Sequence, residues 1–160
     1  MKKILFSITI FSFLSMKSFS HVEHYASFNY LEYELFRNNK SIGYHKYDFN
    51  REGENLLIKS EVSFKITKLG VDLYKYFAKS DENYEKGVFK SYSSKTKQNK
   101  KDRYVNISID PADNNLIIDG SSYKGKANRN SIVGTWWNHE IVQSKAQISG
   151  ISGRIIEQTV

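Results

Sequence analysis

Apolar and polar residues alternate along most of the chain, and the alternation is clearest between residues 56 and 66. The apolar positions are Ile58, Val62, Phe64 and Ile66, and the polar positions between them are Lys59, Glu61, Ser63 and Lys65. Because successive side chains of a strand point to opposite faces of a sheet, this pattern predicts a half-buried strand. Comparable patterns predict strands at 28–37, 42–50, 71–84, 88–97, 103–110, 116–119, 122–126 and 154–160.

Turn-forming residues separate the predicted strands. Asn38-Asn39, Gly53, Gly70 and Gly87 stand between consecutive apolar runs, and asparagine and glycine tolerate the positive φ angles of tight hairpins. Strands joined by such short turns pair with their sequence neighbours in antiparallel fashion. The predicted fold class is all-β: a curved antiparallel meander sheet, forming an open or partial barrel, with one short helix at 137–144 near the C-terminal end.

The first 20 residues have the pattern of a secretory signal peptide. A basic start is followed by an apolar run that ends at Leu14, and Ser18 and Ser20 are small residues at the cleavage positions. We predict cleavage after Ser20, export to the bacterial periplasm, and a single β domain over 21–160. A membrane anchor is the alternative, but the apolar run is about 11 residues long, whereas a spanning helix needs about 20.

The excess of basic over acidic residues is small and is concentrated in one segment of the chain. The chain has 24 basic and 17 acidic residues and no cysteine. Cleavage would remove three lysines and no acid, which leaves 21 basic residues and a formal charge of +4. An exported domain with this small excess is not expected to bind nucleic acid, and no transmembrane segment is expected in the mature chain. The basic segment at 86–103 is interpreted as a solvated strand edge and loop, with anionic lipid headgroups as the alternative partner.

The predicted last strand runs to Val160 without a turn or a polar tail. Two interpretations follow. Either Val160 ends a final strand, or the sequence lacks C-terminal strands of a longer protein; β-branched runs that stop abruptly favour the second.

Trp136 and Trp137 are the two tryptophans of the chain, and they are adjacent. Adjacent residues point to opposite faces of a strand and diverge by about 100° on a helix, so the pair cannot stack together on one ligand. We expect Trp137 to be a core residue and Trp136 to rim the concavity of the sheet. Asn138 is expected to cap the helix that follows.

Aromatic residues with polar tips recur on adjacent predicted strands, which suits the lining of an amphiphile-binding groove. The candidate ligand-binding residues are Tyr33, Tyr44, His45, Tyr47, Tyr74, Tyr76 and Trp136. The same residues would also suit a sheet face that is half exposed to water. His45 has its own alternative, a hydrogen-bonded core histidine.

Metal and enzyme chemistry have weaker signals. His21 and His24 would lie at the mature N-terminus, where an α-amino group and imidazoles can chelate Cu(II); a disordered terminus is the alternative. The sequence carries no nucleophile elbow, phosphate-binding glycine loop, zinc-type cysteine pair or H-E-x-x-H motif. We therefore expect no catalytic residues, no cofactor and no enzymatic activity.

Several short motifs carry a resemblance to a known family. They are Tyr33-Glu34-Leu35, Ile42-Gly43-Tyr44-His45, Phe49, Tyr74-Lys75-Tyr76, Trp137-Asn138 and Gly153-Arg154. Together they resemble a family of exported bacterial proteins described only as a domain of unknown function. The resemblance implies a curved antiparallel sheet, a signal peptide and members that continue past position 160 by several strands, and it brings no catalytic residues. The architecture is also distantly similar to open barrels that carry lipids or lipoproteins across the periplasm.

The predicted function is therefore non-enzymatic binding of an apolar or amphiphilic, lipid-like ligand in the concavity of the sheet. The alternative is an envelope structural module that binds another envelope protein and no small molecule. A copper-binding protein that uses the N-terminal histidines is the third possibility.

Overall fold

The structure is a computed structural model that describes residues 21–158. The predicted signal peptide and Val160 lie outside these residues. Most described residues lie in strands, and the main sheet consists of eight strands. Its strands are β1 Tyr30–Arg37, β2 Lys40–Glu52, β3 Asn55–Lys68, β4 Val71–Glu85, β5 Val88–Gln98, β6 Lys101–Ile109, β7 Leu116–Gly120 and β8 Lys124–Ala127.

Every strand of the main sheet pairs antiparallel with the next one along the chain, so the sheet is a meander. The predicted all-β class and antiparallel connectivity are confirmed. Among residues 21–158, β1 and β8 are the two edges of this sheet, which is not a closed barrel. β4 is the longest strand at 15 residues, which corresponds to about 50 Å of extended chain. The sheet is therefore much longer in its middle than at β7 and β8.

Tight turns fix the register of the long hairpins. Two consecutive residues have positive φ at each of three turns: Asn38-Asn39, Leu69-Gly70 and Lys86-Gly87. Such pairs form the two-residue turns whose twist matches that of the flanking strands. Because the side-chain period of a strand is two, this fixed register also decides which residues share a face.

One face of the sheet is polar and the other is covered. Ion pairs join neighbouring strands on the polar face, for example Lys79 with Glu61 at 2.9 Å. The other face, called the inner face below, packs against residues 128–158. These residues form a second sheet of three short strands, β9 Ile132–Val133, β10 Ala146–Ile148 and β11 Ile155–Glu157. β10 lies in the middle, parallel to β9 and antiparallel to β11.

The covered face contains two hydrophobic clusters. One lies on β5–β8 and includes Val105, Ile107, Leu116 and Ile118, with Ile148 of β10 packed against them. The other lies on β2–β4 and surrounds Trp137; its other members are Tyr47, Phe49, Leu56, Ile58 and Tyr84. The C-terminal segment therefore contributes core residues to both clusters, Val133 and Ile148 to the first and Trp137 to the second, which holds it on the inner face.

The predicted helix is shorter than the sequence suggested. The 137–144 segment contains a single 3-10 turn, His139–Val142, and no α-helix. Asn138 caps it, since its side chain accepts a hydrogen bond from the Glu140 N–H at 3.0 Å. The N–H of Gln143 bonds back to the Glu140 carbonyl and ends the turn. Val142 is exposed, so the segment has no apolar stripe that would extend a helix along the core.

The N-terminal described residues form a second 3-10 helix, His21–Tyr25. Arg51 anchors it, because its guanidinium donates to the carbonyl oxygens of Tyr25 and Phe28 at 2.7 Å each. The Tyr25 ring packs edge-on against Trp137, with centroids 5.2 Å apart. No helix within residues 21–158 has the length and apolar character needed to cross a bilayer.

Candidate functional site

A cavity of about 810 Å³ lies between the inner face of the main sheet and the C-terminal segment. Strands β1 to β5 line one side of it. Gly134, Thr135, Trp136, Gly150 and Ile151 line the other side. We call the C-terminal segment, residues 128–158, the cover. Two hydroxyls hold the cover in place, because Tyr92 and Ser94 both donate to the Gly150 carbonyl, at 3.1 and 2.6 Å.

Small side chains form the floor of the cavity. Ser60 pairs with Ser80, and Ser80 pairs with Ser94, so three serines lie side by side across β3, β4 and β5. Ala78 lies in the next row toward the Leu69-Gly70 turn, paired with Val62. Larger residues at these positions would fill the space against the cover. The volume therefore depends on a row of small residues in the middle of the longest strands.

Aromatic residues form the walls. Tyr33 on β1 and Tyr47 on β2 meet edge-on, with ring centroids 6.3 Å apart. At the end nearer the Leu69-Gly70 turn, Phe64 stacks on Tyr76 at 5.0 Å and packs against Tyr74 at 5.8 Å. All five residues line the cavity. Their rings offer apolar contact area, and the hydroxyls of the four tyrosines offer hydrogen bonds at its margin.

His45 is a titratable side chain on the cavity wall. Its Nε2 lies 2.9 Å from the Ser60 hydroxyl, and its ring packs on Tyr47 with centroids 4.3 Å apart. Burial lowers the pKa of His45 to about 4, because the interior disfavours the charged imidazolium. The imidazole is therefore neutral at pH 7, with one nitrogen that donates and one that accepts.

Two threonine hydroxyls add polar character to the lining. Thr96 and Thr135 line the cavity, and the Oγ1 atom of each is buried without a well-formed hydrogen bond among residues 21–158. Tyr76 lies close enough to Thr96, and Glu82 close enough to Thr135, that each hydroxyl lowers the pKa of its neighbour. Both oxygens are shielded from solvent, so their polar neighbours are these groups of the protein itself.

A buried carboxyl lies in the core next to the cavity lining. Glu82 lies on β4, one inner-face position beyond Ser80. Tyr84 donates to its Oε1 at 2.6 Å, and the Trp137 indole N–H donates to its Oε2 at 2.8 Å. Burial raises the pKa of Glu82 above its ordinary value, and these donors oppose the rise. Glu82 was not predicted from the sequence, although its parity with Ser80 and Tyr84 places it on the inner face.

The two tryptophans occupy different environments. Trp137 is 3% exposed and lies in the cluster on β2–β4, whereas Trp136 is 77% exposed at the margin of the cavity. The backbone at Trp136 also approaches the Tyr47 hydroxyl, where it counteracts the rise of the Tyr47 pKa caused by burial. Trp136 thus stands where it can contact a ligand, and Trp137 attaches the cover to the core.

Tyr44, one of the candidate ligand-binding residues, does not line the cavity. It follows Gly43 and precedes His45 on β2, so the period of two places it on the polar face. There its hydroxyl donates to Glu61 at 2.6 Å. The remaining six candidates, Tyr33, His45, Tyr47, Tyr74, Tyr76 and Trp136, all line the cavity. The sequence analysis did not single out the serines, Ala78 or Thr96.

The proposed copper ligands receive no geometric support in the part that the structure describes. The His24 ring packs edge-on against His139, with centroids 5.5 Å apart. The side chain of His21 lies outside the described residues. Within the described part of the chain, no three histidine, cysteine or acidic side chains are grouped to hold a metal ion. Copper binding stays a prediction from the sequence.

The geometry defines the structural class of this protein. It is an open antiparallel meander sheet, and an aromatic-walled cavity lies between its inner face and the C-terminal segment. The chain belongs to the family described as "Domain of unknown function (DUF6134)", whose model matches residues 33–160. The predicted membership of a family of unknown function is thereby confirmed. No curated protein and no solved structure shows significant similarity to the chain.

Proposed function

We propose that this protein binds an apolar or amphiphilic, lipid-like molecule in the cavity on the inner face of its sheet, without catalysing a reaction. The observation that carries the proposal is the cavity itself, about 810 Å³ with a floor of small residues and aromatic walls. Binding pockets for small ligands span about 300–1,000 Å³ and combine apolar lining with a few polar groups.

The polar groups of the lining indicate the chemistry of the ligand. His45 is neutral, and Ser60 and Ser80 carry hydroxyls, so the lining offers uncharged donors and acceptors. Lys79, at the margin, turns its ammonium to Glu61 on the polar face. A charged headgroup would have no counter-charge inside the cavity and would remain costly to bury. The buried part of the ligand is therefore an alkyl or aromatic body with a hydroxyl, ester or amide group.

The proposed setting is the bacterial periplasm, and it rests on the sequence of residues 1–20. A mature chain that begins at His21 would meet envelope lipids during and after export. A binding cavity whose charged lining residues, Glu34 and Lys79, are exposed at its margin suits such molecules.

A fluorescent amphiphile such as N-phenylnaphthylamine tests the proposal with one matched pair of variants. Ser80→Phe places a large ring on the floor of the cavity, whereas Ser93→Phe makes the same exchange on the exposed, polar face of the adjacent strand. We expect saturable dye binding by the wild type and Ser93→Phe, and at least about tenfold weaker binding by Ser80→Phe. Equal affinity of all three proteins would contradict the proposal.

A protein-binding role is the second candidate, because Trp136 is large, apolar and exposed, and exposed aromatic residues are frequent in protein interfaces. In the dye experiment, Trp136→Ala distinguishes the two. If Trp136 belongs to a protein interface alone, its loss leaves dye affinity unchanged. If it rims the ligand site, its loss weakens dye binding.

A further inference from the structure

Three turns lie at one end of the main sheet. The register pairs Gly43 with Phe64 and Tyr76 with Gln98, so the Asn38-Asn39, Leu69-Gly70 and Asn99-Lys100 turns all project from the same end. We call residues 36–41, 65–75 and 97–102 the basic turn end. The opposite end carries the turns around Gly53, Lys86-Gly87 and Asp110–Asn115.

Charge is distributed unequally between the two ends. The basic turn end has eight basic and two acidic residues, whereas residues 51–54, 85–87 and 110–115 at the other end have two basic and five acidic residues. Asp72, one of the two acids at the basic turn end, is paired with Lys75 at 2.9 Å. All eight basic residues are exposed there: Lys40, Lys65, Lys68, Lys75, Lys97, Lys100, Lys101 and Arg37. A strong positive field therefore surrounds one end of the molecule.

Apolar side chains project from the same end. Leu69 is 94% exposed at the tip of the β3–β4 hairpin, and Val71 is 61% exposed beside it. Leu69 has φ of 51°, a conformation that asparagine or glycine adopts at lower cost than a branched apolar residue. The two other turns at this end have asparagine in the left-handed region. Local folding preference therefore does not explain leucine at position 69.

We propose that the basic turn end docks on the surface of an anionic lipid bilayer. Leu69 and Val71 enter the boundary between headgroups and acyl chains, and the surrounding lysines contact lipid phosphates. Apolar insertion and attraction of several lysines are each weak alone and add to stable, reversible binding. The apolar tip is what favours a bilayer over a soluble polyanion, which would use the lysines and leave Leu69 in water.

The position of the cavity agrees with this orientation. Phe64, Tyr74 and Tyr76 line the end of the cavity that is nearer the tip of the β3–β4 hairpin. A protein docked in this way would hold the aromatic end of its cavity toward the membrane, from which an amphiphile would enter. Docking itself rests on the turns and their charges, and it does not require that the cavity binds a ligand.

Vesicle co-sedimentation of the mature protein tests the proposal. The probes are vesicles of phosphatidylcholine alone and vesicles with equal amounts of phosphatidylcholine and phosphatidylglycerol. We expect binding to the anionic vesicles only, with an affinity that falls as salt is added, because salt screens the lysines. Equal binding to both vesicles, or binding to neither, would overturn the proposal.

Leu69→Asn is the decisive variant, because asparagine suits the positive φ of this turn and the protein should fold at least as well. Val88→Asn is the matched control: Val88 is 50% exposed beside the Lys86-Gly87 turn at the opposite end. Leu69→Asn should lower affinity for the anionic vesicles about tenfold or more, and Val88→Asn should leave it unchanged. Wild-type vesicle affinity in Leu69→Asn would overturn the proposed insertion.

Further variants separate docking from ligand binding and from self-association. Lys68→Gln should weaken vesicle binding about fivefold. Leu69→Asn should keep wild-type dye affinity, and Ser80→Phe should keep wild-type vesicle affinity, so either proposal can fail without the other. Oppositely charged ends also permit head-to-tail association of two copies; concentration-dependent oligomers that Leu69→Asn abolishes, with no vesicle binding, would assign the tip to a protein contact instead.

Discussion

Replacement of Trp137 by alanine should loosen the attachment of the C-terminal cover to the sheet. The Trp137 ring lies edge-on to three aromatic rings, those of Tyr25, Phe49 and Tyr84, at centroid distances of 5.2, 5.8 and 5.9 Å. Its indole N–H also donates to Glu82, which is itself buried. The side chain thus combines a large buried area with the satisfaction of a buried polar group.

The expected cost follows from these contacts. Truncation of a buried tryptophan to alanine costs about 3–5 kcal/mol through lost apolar burial and the cavity left behind. Loss of a donor to a buried acceptor adds about 1–3 kcal/mol. Native domains are stable by about 5–15 kcal/mol, so Trp137→Ala should remove a large part of the free energy of unfolding. Trp137→Phe keeps most of the ring and loses the N–H donor, so it should cost less.

Urea denaturation followed by far-ultraviolet circular dichroism measures these differences without dependence on tryptophan fluorescence. Trp136→Ala is the matched control, because Trp136 is 77% exposed and exposed substitutions usually change stability by less than about 0.5 kcal/mol. Equal effects of the two alanine variants, or a cost below about 1 kcal/mol for Trp137→Ala, would refute the reasoning.

Three further predictions concern single residues of the inner face. Burial lowers the pKa of His45 to about 4. The contribution of His45 to stability is therefore present above its ordinary pKa of 6.5 and is lost as the pH falls from there toward 4. His45→Gln should flatten the acid limb of a stability–pH curve, and an unchanged limb would contradict this. Burial raises the pKa of Glu82. The contribution of Glu82 to stability is therefore present below the ordinary glutamate pKa and is lost as the pH rises through the raised pKa of the folded state. Thermal melts should show the wild type losing stability relative to Glu82→Gln over that pH range, and a constant difference would be evidence against it. A Cβ at position 43 would overlap the Ser63 carbonyl oxygen, so Gly43→Ala should destabilise the β2–β3 pairing by more than 1 kcal/mol, measured by urea denaturation; a neutral effect would show that the strands separate without cost.

The alternation of apolar and polar residues was sufficient to predict the meander. In β3, Ile58, Val62 and Phe64 share the inner face as the sequence indicates, while Lys59 and Glu61 lie on the other face. The tight turns carry the same information, since asparagine and glycine occupy most positions with positive φ. Both signals are local, and a sheet whose neighbours are sequential in the chain needs little beyond local signals.

The C-terminal cover was predicted poorly because its structure depends on distant contacts. β9 and β10 have two and three residues, which is too short for a period of two to be recognised. Their pairing is parallel, and Gly134 and Gly150 reach the cavity only because Tyr92 and Ser94 hold the Gly150 carbonyl. The helix predicted at 137–144 was wrong for a related reason. Packing of Trp137 against the sheet, rather than helical periodicity, positions this segment.

The candidate site was predicted in part. Aromatic residues on the inner face were identified because they are large and conspicuous, whereas the serines that create the space were not. Tyr44 was included by residue type, although its parity with respect to His45 places it on the polar face. Glu82 was missed because a lone acid in a polar strand resembles a solvated one until its neighbours Tyr84 and Trp137 are known.

Native mass spectrometry of the mature protein, purified gently from bacterial envelopes, tests the central claim most directly. The account predicts a bound lipid-like molecule that adds mass to the wild type and to Ser93→Phe, and that is absent from or strongly reduced in folded Ser80→Phe. Unliganded wild-type protein, or the same bound mass in Ser80→Phe, would contradict the claim that the cavity on the inner face is the binding site.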